Sequence, residues 1–194
     1  MTKDVLIFAT NNQNKVAEIR FALQNRFEIL TLKEAGIDID IPEPYDTIEE
    51  NASTKSKTIF ELTQKNCFSE DTGLLVDCLN GEPGVKSARY AGEHCSFEDN
   101  IDKLLLNMQG KANRNAKFKT VISLIINGVE HQFKGICEGK ITEQKQGSNG
   151  FGYDPVFIPN GSKITFAQMA IEEKNRYSHR KKALQKLLNH LEKQ

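Results

Sequence analysis

The sequence predicts an α/β fold built on a β-sheet with helices packed against it. Val5–Ala9 is a continuous apolar run, which is typical of a strand buried on both faces, and a segment with helical spacing of apolar residues follows it. Asn127-Gly128 separates two segments with strand character and is the strongest hairpin signal in the chain. The hairpin therefore predicts an antiparallel extension of the sheet.

The bulk composition favours one intracellular domain. The chain has 194 residues, enough for a full core, and a single domain over residues 1–194 is expected. The 26 basic and 26 acidic residues balance, so no overall field draws the protein to nucleic acid or membrane. No apolar run is long enough to cross a membrane, no signal-peptide pattern is present, and the four cysteines are widely spaced. We therefore expect a cytoplasmic protein with reduced cysteines and no zinc site.

A polar loop follows the first strand. Thr10–Lys15 lies between that strand and a helix that carries Val16 and Ile19, and backbone N–H groups converge on such a helix start, where anions bind. Lys15 would lie at the positive end of the helix dipole, which is unfavourable unless an anion joins it. Neither the dinucleotide-binding glycine pattern nor the P-loop pattern is present, which excludes those two families.

An acidic segment follows the second predicted strand, Glu28–Leu32. Between Glu34 and Glu50 the charged residues are all acidic, and most of them are expected to be solvated. Pro42 and Pro44 flank Glu43 and hold its backbone extended, so its side chain is presented at a fixed place. Glu43 is the acid of this segment with a predicted functional role.

A helix is predicted from Thr47 to about Lys65, because Thr47 and Glu50 form a capping-box pattern. Its apolar stripe consists of Ile48, Ala52, Ile59 and Leu62, and Lys55 falls within the same stripe. Lys55 then either snorkels over the edge of the core or points into a polar pocket that binds phosphates.

Glu70 and Asp71 are the stretch around which the rest of the chain is organised. They follow a short apolar run and precede Thr72-Gly73, so a turn is predicted there, with a new strand over Leu74–Leu79. Adjacent carboxylates repel one another, and a cation such as Mg²⁺ relieves that repulsion. The alternative is an acidic surface turn.

The middle of the chain contains local signals of secondary structure. A tight loop is predicted at Gly81–Gly84, a helix at Phe97–Met108, and strands at Lys119–Ile126 and Gln132–Ile141.

Gly147–Pro155 is a glycine-rich loop that carries an aromatic residue and an acid. Phe151 lies between two glycines, so it either fills a gap in the core or offers a flat face to a ligand.

The C-terminal segment predicts an amphipathic helix with Ser178 as its N-cap and Leu184, Leu187, Leu188 and Leu191 on one face. His179 and Arg180 then lie in the first turn, where cations oppose the helix dipole. An anionic or carbonyl-bearing ligand explains that placement.

These segments together resemble the inosine/xanthosine triphosphate pyrophosphatase family over nearly the whole chain. The resemblance rests on Thr10–Lys15, Glu43, Asn51–Lys55, Glu70–Leu74, Pro83–Gly92, Gly150–Pro155 and Glu172–Arg180. It implies a long mixed β-sheet flanked by helices, with two lobes around a central active-site cleft, and a homodimer. It also implies Mg²⁺-dependent hydrolysis of ITP, dITP and XTP to the monophosphate and pyrophosphate.

The resemblance also assigns roles to single residues. Asp71 corresponds to the catalytic acid and metal ligand and Glu43 to a second metal-associated acid, while Glu70 or Asp71 would activate the attacking water. Substrate contacts are implied for Thr10, Asn11, Asn12, Gln13, Asn14, Lys15, Lys55, Thr72, Phe151, Gly152, Tyr153, Asp154, Lys174, His179 and Arg180.

Two other functions compete with this hypothesis. One is a Maf-like pyrophosphatase that acts on pyrimidine or modified nucleotides, and the other is a nucleotide-binding protein without catalysis. The balanced charge argues against a nucleic-acid partner, and the Glu43/Asp71 pair argues against a protein that only binds.

Overall fold

The computed structural model describes residues 4–23 and 27–192, without the side chains of residues 14, 18 and 21–23. The strands are β1 (Asp4–Phe8), β2 (Phe27–Thr31), β3 (Cys67–Val76), β4 (Pro83–Gly84), β5 (Asn115–Ile126), β6 (Val129–Ile141) and β7 (Phe157–Pro159). The helices are α1 (Gln13–Leu23), α2 (Ile48–Thr63), α3 (Phe97–Asn107), α4 (Ile171–Tyr177) and α5 (His179–Leu191).

The strands form a mixed 7-stranded sheet with the order β2-β1-β3-β5-β6-β7, and β4 pairs with β3 outside this path. β1 runs parallel to β2 and β3, whereas β4 is antiparallel to β3 and β7 is antiparallel to β6. The predicted α/β fold with a mixed sheet and flanking helices is confirmed.

The chain divides into two compact units, and β3, β5 and β6 each pass from one to the other. The first unit contains the described parts of Met1–Asp71, Val121–Lys134 and Lys182–Gln194. Its core includes Phe8 and Phe68, whose rings stack 4.3 Å apart. The second unit contains Thr72–Thr120 and Gly135–Lys181, and its core is centred on an aromatic cluster of Phe118, Phe157 and Phe166.

Local signals located several elements correctly. Asn127 and Gly128 both have positive φ (52° and 78°), as a two-residue hairpin turn requires, and they join β5 to β6. Thr47 caps α2 by accepting a hydrogen bond from the Glu50 backbone N–H at 3.2 Å. α2 ends at Thr63 because Gln64 adopts the left-handed conformation.

The predicted turn at Thr72-Gly73 is wrong. Both residues lie inside β3, which is one strand over Cys67–Val76 and not two strands separated by a turn. Pairing of β3 with β1, β4 and β5 supplies backbone partners along this stretch, and those long-range contacts override the local turn signal. Glu70 and Asp71 are therefore buried strand residues, which also excludes the acidic surface turn.

The predicted apolar stripe of α2 includes Leu62, but Leu62 is 58 % exposed, because the last turn packs through Ile59 and Phe60. All four cysteines are free, as predicted. Within residues 4–23 and 27–192, no helix has both the length and the apolar character needed to cross a lipid bilayer.

Candidate active site

The acidic pair lies where β3 extends beyond β1. The register of the two strands ends with Phe8 opposite Phe68, and the Ala9 N–H still donates to the Phe68 carbonyl at 2.8 Å. After that point β1 gives way to the loop that leads into α1, while β3 continues into Ser69, Glu70 and Asp71. The carboxyl end of a strand in a parallel sheet is where ligands commonly bind in α/β folds.

Lys15 and Lys55 approach the acidic pair from α1 and α2. Successive strand residues point to opposite faces, and accordingly Lys15 Nζ lies 3.5 Å from Glu70 Oε1 while Lys55 Nζ lies 2.9 Å from Asp71 Oδ1. Both ammonium groups also donate to the Glu70 carbonyl, at 3.4 Å from Lys15 and 3.2 Å from Lys55. One backbone oxygen thus links the two lysines.

Lys55 is a buried cation between two carboxylates. It is 8 % exposed, and its Nζ lies 2.7 Å from Glu43 Oε1 as well as 2.9 Å from Asp71 Oδ1. Burial lowers the pKa of Lys55, but the charges of Asp71 and Glu43 outweigh burial and hold it above its usual value, so the ammonium stays charged. The snorkelling alternative is wrong, because a snorkelling head group would reach solvent.

Burial opposes the ionisation of Asp71. It is 7 % exposed, and burial raises its pKa, helped by the Glu43 charge and opposed by Lys55 and Lys15. Asp71 Oδ2 is buried without a hydrogen-bond partner among the residues that the structure describes. A buried carboxylate oxygen of this kind fits a bound hard cation or a bound water.

The acidic donors at the site limit how Mg²⁺ could be held there. No group of three or more His, Cys, Asp or Glu side chains in the described part of the chain could hold a metal ion by itself. Mg²⁺ in nucleotide sites takes one or two carboxylates and completes its shell with water and phosphate oxygens. Glu43 and Asp71, whose carboxylates meet at Lys55 Nζ, satisfy that smaller requirement.

The loop before α1 is tied mainly to itself. Asn12 caps the helix, since its Oδ1 accepts from the Lys15 N–H at 3.3 Å, and its own N–H donates to Thr10 Oγ1 at 3.2 Å. Asn11 Oδ1 accepts from the Lys33 N–H at 3.2 Å, and Gln13 is the first helical residue. The side chain of Asn14 lies outside the described residues. Lys15 is the member of this loop that the structure brings to Glu70.

A second group of predicted residues lies in the second unit around Phe151. The half-buried ring of Phe151 has Lys174 Nζ at 5.2 Å and Arg180 Cζ at 5.7 Å from its centroid, and Phe97 contacts it with centroids 6.2 Å apart. These distances are within the range of cation–π and aromatic contacts. Phe151 is not part of the buried aromatic cluster of this unit, so the interpretation as a core plug is not supported.

Asp154 fixes the shape of the Phe151 loop. Its Oδ2 accepts from the Phe151 N–H at 3.0 Å and from Lys174 Nζ at 2.6 Å. Gly150 has φ +79°, and a Cβ built on it would lie 2.0 Å from that same Oδ2, so a residue without a side chain is needed there. Gly152 also has positive φ, at +60°.

The other predicted residues of this unit pack against its core. His179 begins α5 and stacks on Phe118 with centroids 4.7 Å apart. Tyr153 belongs to the core cluster and donates its hydroxyl to the Ser87 carbonyl at 2.9 Å, and burial raises its pKa. The Thr72 hydroxyl lies 2.7 Å from that of Thr120.

Comparison with known proteins settles the family. Residues 6–190 match the model of the Ham1 family. This chain belongs to the Ham1 family. The predicted family is thereby confirmed, and the match covers every segment that carried the resemblance.

The relatives of this Ham1-family chain cover nearly its whole length. A Flavobacterium psychrophilum protein named dITP/XTP pyrophosphatase is 50% identical over 184 residues, which are 95% of this chain and 97% of that protein. The Ham1 protein structure from Staphylococcus aureus has a TM-score of 0.92 at 39% identity, over 97% of this chain and 98% of that one. The HAM1 protein from Coxiella burnetii gives a TM-score of 0.93 at 32% identity, over 98% and 100% of the two chains.

Two residues that support the Ham1-family site had no role of their own in the sequence-based prediction. Fully buried Asn51 exchanges two hydrogen bonds with the backbone of Tyr45, at 3.0 and 2.9 Å, and so fixes the segment that presents Glu43. Glu130 accepts hydrogen bonds from Ser53 on α2 and from Ser123 on β5. The polar residues between Asn51 and Thr58 inside a helix were an available signal for Asn51, whereas no local signal marks Glu130.

Proposed function

We propose that this chain hydrolyses ITP, dITP and XTP to the nucleoside monophosphate and pyrophosphate. The observation that carries the proposal is the buried cluster in which Lys55 lies between Glu43 and Asp71 while Lys15 contacts Glu70. Hydrolysis of a triphosphate needs cations for its phosphates and acids for a metal ion and a water, and this cluster contains both. The name of the Flavobacterium psychrophilum relative, 50% identical, supports the choice of substrates.

Each group of the cluster has a proposed role. Lys15 and Lys55 bind the triphosphate, because both are charged and lie beside the same strand. Glu43 and Asp71 would hold Mg²⁺, which neutralises charge on the phosphate oxygens when it is bound. Asp71 also orients the attacking water and accepts its proton at Oδ2, the oxygen without a partner among the described residues. Glu70 is less suited to that role because its carboxylate contacts Lys15.

The base is assigned to the residues around Phe151. A purine ring would stack on Phe151, and Arg180 would donate to the oxygen at the six position of inosine or xanthosine. Adenine carries an amino donor there, so donor would face donor and neither group would be paired, and such mismatches discriminate strongly. This arrangement favours non-standard purines over ATP.

A release assay for pyrophosphate tests the proposal. We expect wild-type protein to release pyrophosphate from ITP, dITP and XTP in the presence of Mg²⁺, with little release from ATP or pyrimidine triphosphates, and we expect the activity to disappear with a chelator. Preferential cleavage of pyrimidine or modified nucleotides would favour a Maf-like activity. Binding of ITP without release would favour a nucleotide-binding protein. We also propose a homodimer, which sedimentation velocity would detect as twice the 21.9 kDa chain mass.

A further inference from the structure

A partly buried polar cluster joins α2 to β5 and β6 in the first unit, and the proposed reaction does not use it. Glu130 Oε1 on β6 accepts hydrogen bonds from Ser53 Oγ at 2.6 Å and from Ser123 Oγ at 2.8 Å. Glu130 Oε2 lies 2.9 Å from Lys57 Nζ. Ser56 and Ser123 have no exposed surface, and their hydroxyl oxygens are 2.7 Å apart. One carboxylate on β6 is thus linked to three residues of α2.

An ionised carboxylate can only accept, so the hydroxyls of Ser53 and Ser123 and the ammonium of Lys57 all donate to Glu130. Ser56 Oγ lies 3.0 Å from the Ser53 carbonyl as well as 2.7 Å from Ser123 Oγ, so it joins the cluster to the backbone of α2. Burial raises the pKa of Glu130, but the hydrogen bonds from Ser53, Lys57 and Ser123 outweigh it and lower the pKa to about 2. The carboxylate is therefore ionised at neutral pH, and its hydrogen bonds are charge-assisted.

α2 is also held to β3, on both sides of Lys55. Ser69 Oγ donates to the Ala52 carbonyl, and Cys67 Sγ lies 3.2 Å from the Ser56 carbonyl. Ala52 and Ser56 are one helical turn apart, and Lys55 lies between them in the sequence. β3 is the strand that carries Asp71. The backbone of Lys55 is therefore fixed relative to Asp71 on one side of the helix and relative to Glu130 on another.

The cluster explains an otherwise unfavourable sequence. Ser53, Thr54 and Ser56 lie in the interior of α2, where serine and threonine are weaker helix formers than alanine or leucine and compete for backbone hydrogen bonds. Buried hydroxyls would also be unfavourable without an acceptor. Glu130 supplies that acceptor for Ser53 and for Ser123 on β5. The arrangement favours one position of α2 and is poorly explained by packing alone.

We propose that Glu130 is a positioning residue for Lys55: it holds α2 where the Lys55 ammonium reaches Asp71 and the substrate phosphates. Glu130 itself does not contact the substrate. The inference rests on the proposed function, because it takes Lys55 to be the phosphate-binding group. A purely structural role would lower stability without acting through Lys55.

A double-mutant cycle distinguishes the two roles. At 20 °C we expect Glu130→Ala to lower kcat/KM for ITP about 10-fold. Glu130→Gln should stay within about 3-fold of wild type, because its amide oxygen still accepts from both serines. In a Lys55→Met background, adding Glu130→Ala should lower kcat/KM by less than about 2-fold, because the group that Glu130 positions is already gone. The same loss in both backgrounds, or no loss in either, overturns the proposal.

Two further variants keep the test decisive. Ile59→Val removes one buried methylene from the same helix without touching a polar group, and it should lower Tm while leaving kcat/KM unchanged. If Glu130→Ala does not fold, Ser53→Ala replaces it in the same cycle, with the same expected non-additivity.

A binding measurement separates this inference from the proposed activity. Calorimetry measures the affinity of the wild type, the two single variants and the double variant for inorganic triphosphate. The same cycle is thereby obtained from binding alone, without turnover. If the wild type cleaves no nucleotide but the two substitutions are non-additive in binding, the activity is wrong and the positioning role holds. Additive losses, or no binding of triphosphate by the wild type, overturn the positioning role.

Discussion

Replacement of Lys55 by methionine perturbs the charge balance of the site most directly. Methionine keeps the length and apolar stem of the side chain but removes the ammonium that lies 2.7 Å from Glu43 and 2.9 Å from Asp71. Removing one partner of a buried ion pair costs about 3–5 kcal/mol, because the other charge is left uncompensated. Protonation of Asp71, whose pKa is already raised by burial, limits the cost, so we expect about 3 kcal/mol at pH 8.

The stability loss should depend on pH in a defined direction. A carboxyl whose folded pKa exceeds its ordinary value of 3.8 binds its proton more tightly in the folded state, so stability falls as pH rises from about that value through the folded pKa. Without Lys55 the pKa of Asp71 rises further, so the stability of the variant continues to fall up to a higher pH than that of the wild type. The difference in unfolding free energy between wild type and Lys55→Met should therefore be largest at pH 8 and shrink toward pH 5.

Two assays check this prediction. Urea unfolding at pH 8 and pH 5 gives the stability difference, with exposed Lys65→Met as a matched control that should change nothing. Pyrophosphate release from ITP should show kcat/KM lower by about 10²-fold, or about 2.7 kcal/mol. Unchanged kinetics together with unchanged unfolding, or a stability loss that does not depend on pH, would refute the reasoning.

Three further substitutions test other parts of the site. Asp71→Asn should abolish turnover while the fold and much of the nucleotide affinity remain, so a variant that keeps more than a tenth of wild-type kcat at saturating Mg²⁺ contradicts its role. Arg180→Ala should lower kcat/KM for ITP steeply and narrow the advantage of ITP over ATP, with exposed Arg176→Ala as the control; equal losses on both substrates would mean that the base is recognised elsewhere. Gly150→Ala should disrupt the Phe151 loop, because its Cβ would lie 2.0 Å from Asp154 Oδ2, and a raised KM for ITP with little change in Tm is expected; wild-type KM would show that the loop adapts.

Much of the fold could be predicted because its signals are local. The apolar run of β1, the Asn127-Gly128 turn and the Thr47 cap each specify their conformation within a few residues. The turn predicted at Thr72-Gly73 was wrong for the opposite reason: β3 is continuous because strands distant in sequence pair with it.

The residues of the candidate site likewise fall into those with a local sequence signal and those without one. Glu43, Lys55 and Asp71 could be singled out because each residue type was unusual in its local setting, and the structure brings them together. The hydrogen bond between Ser53 and Glu130 joins residues 77 positions apart, and no local pattern specifies such a contact. The packing of Tyr153 in the core and its hydrogen bond to the Ser87 carbonyl, 66 positions away, have no local signal either, and its predicted contact with substrate stays a prediction.

One competition experiment tests the central claim most directly. Equal concentrations of ITP, ATP and GTP are mixed with the wild-type protein and Mg²⁺, and nucleotides and phosphates are separated by anion-exchange chromatography over time. We expect ITP to be consumed first, with inosine monophosphate and pyrophosphate appearing in equal amounts while ATP remains. Consumption of ATP at the same rate, or the appearance of inosine diphosphate with inorganic phosphate, would contradict the proposed function.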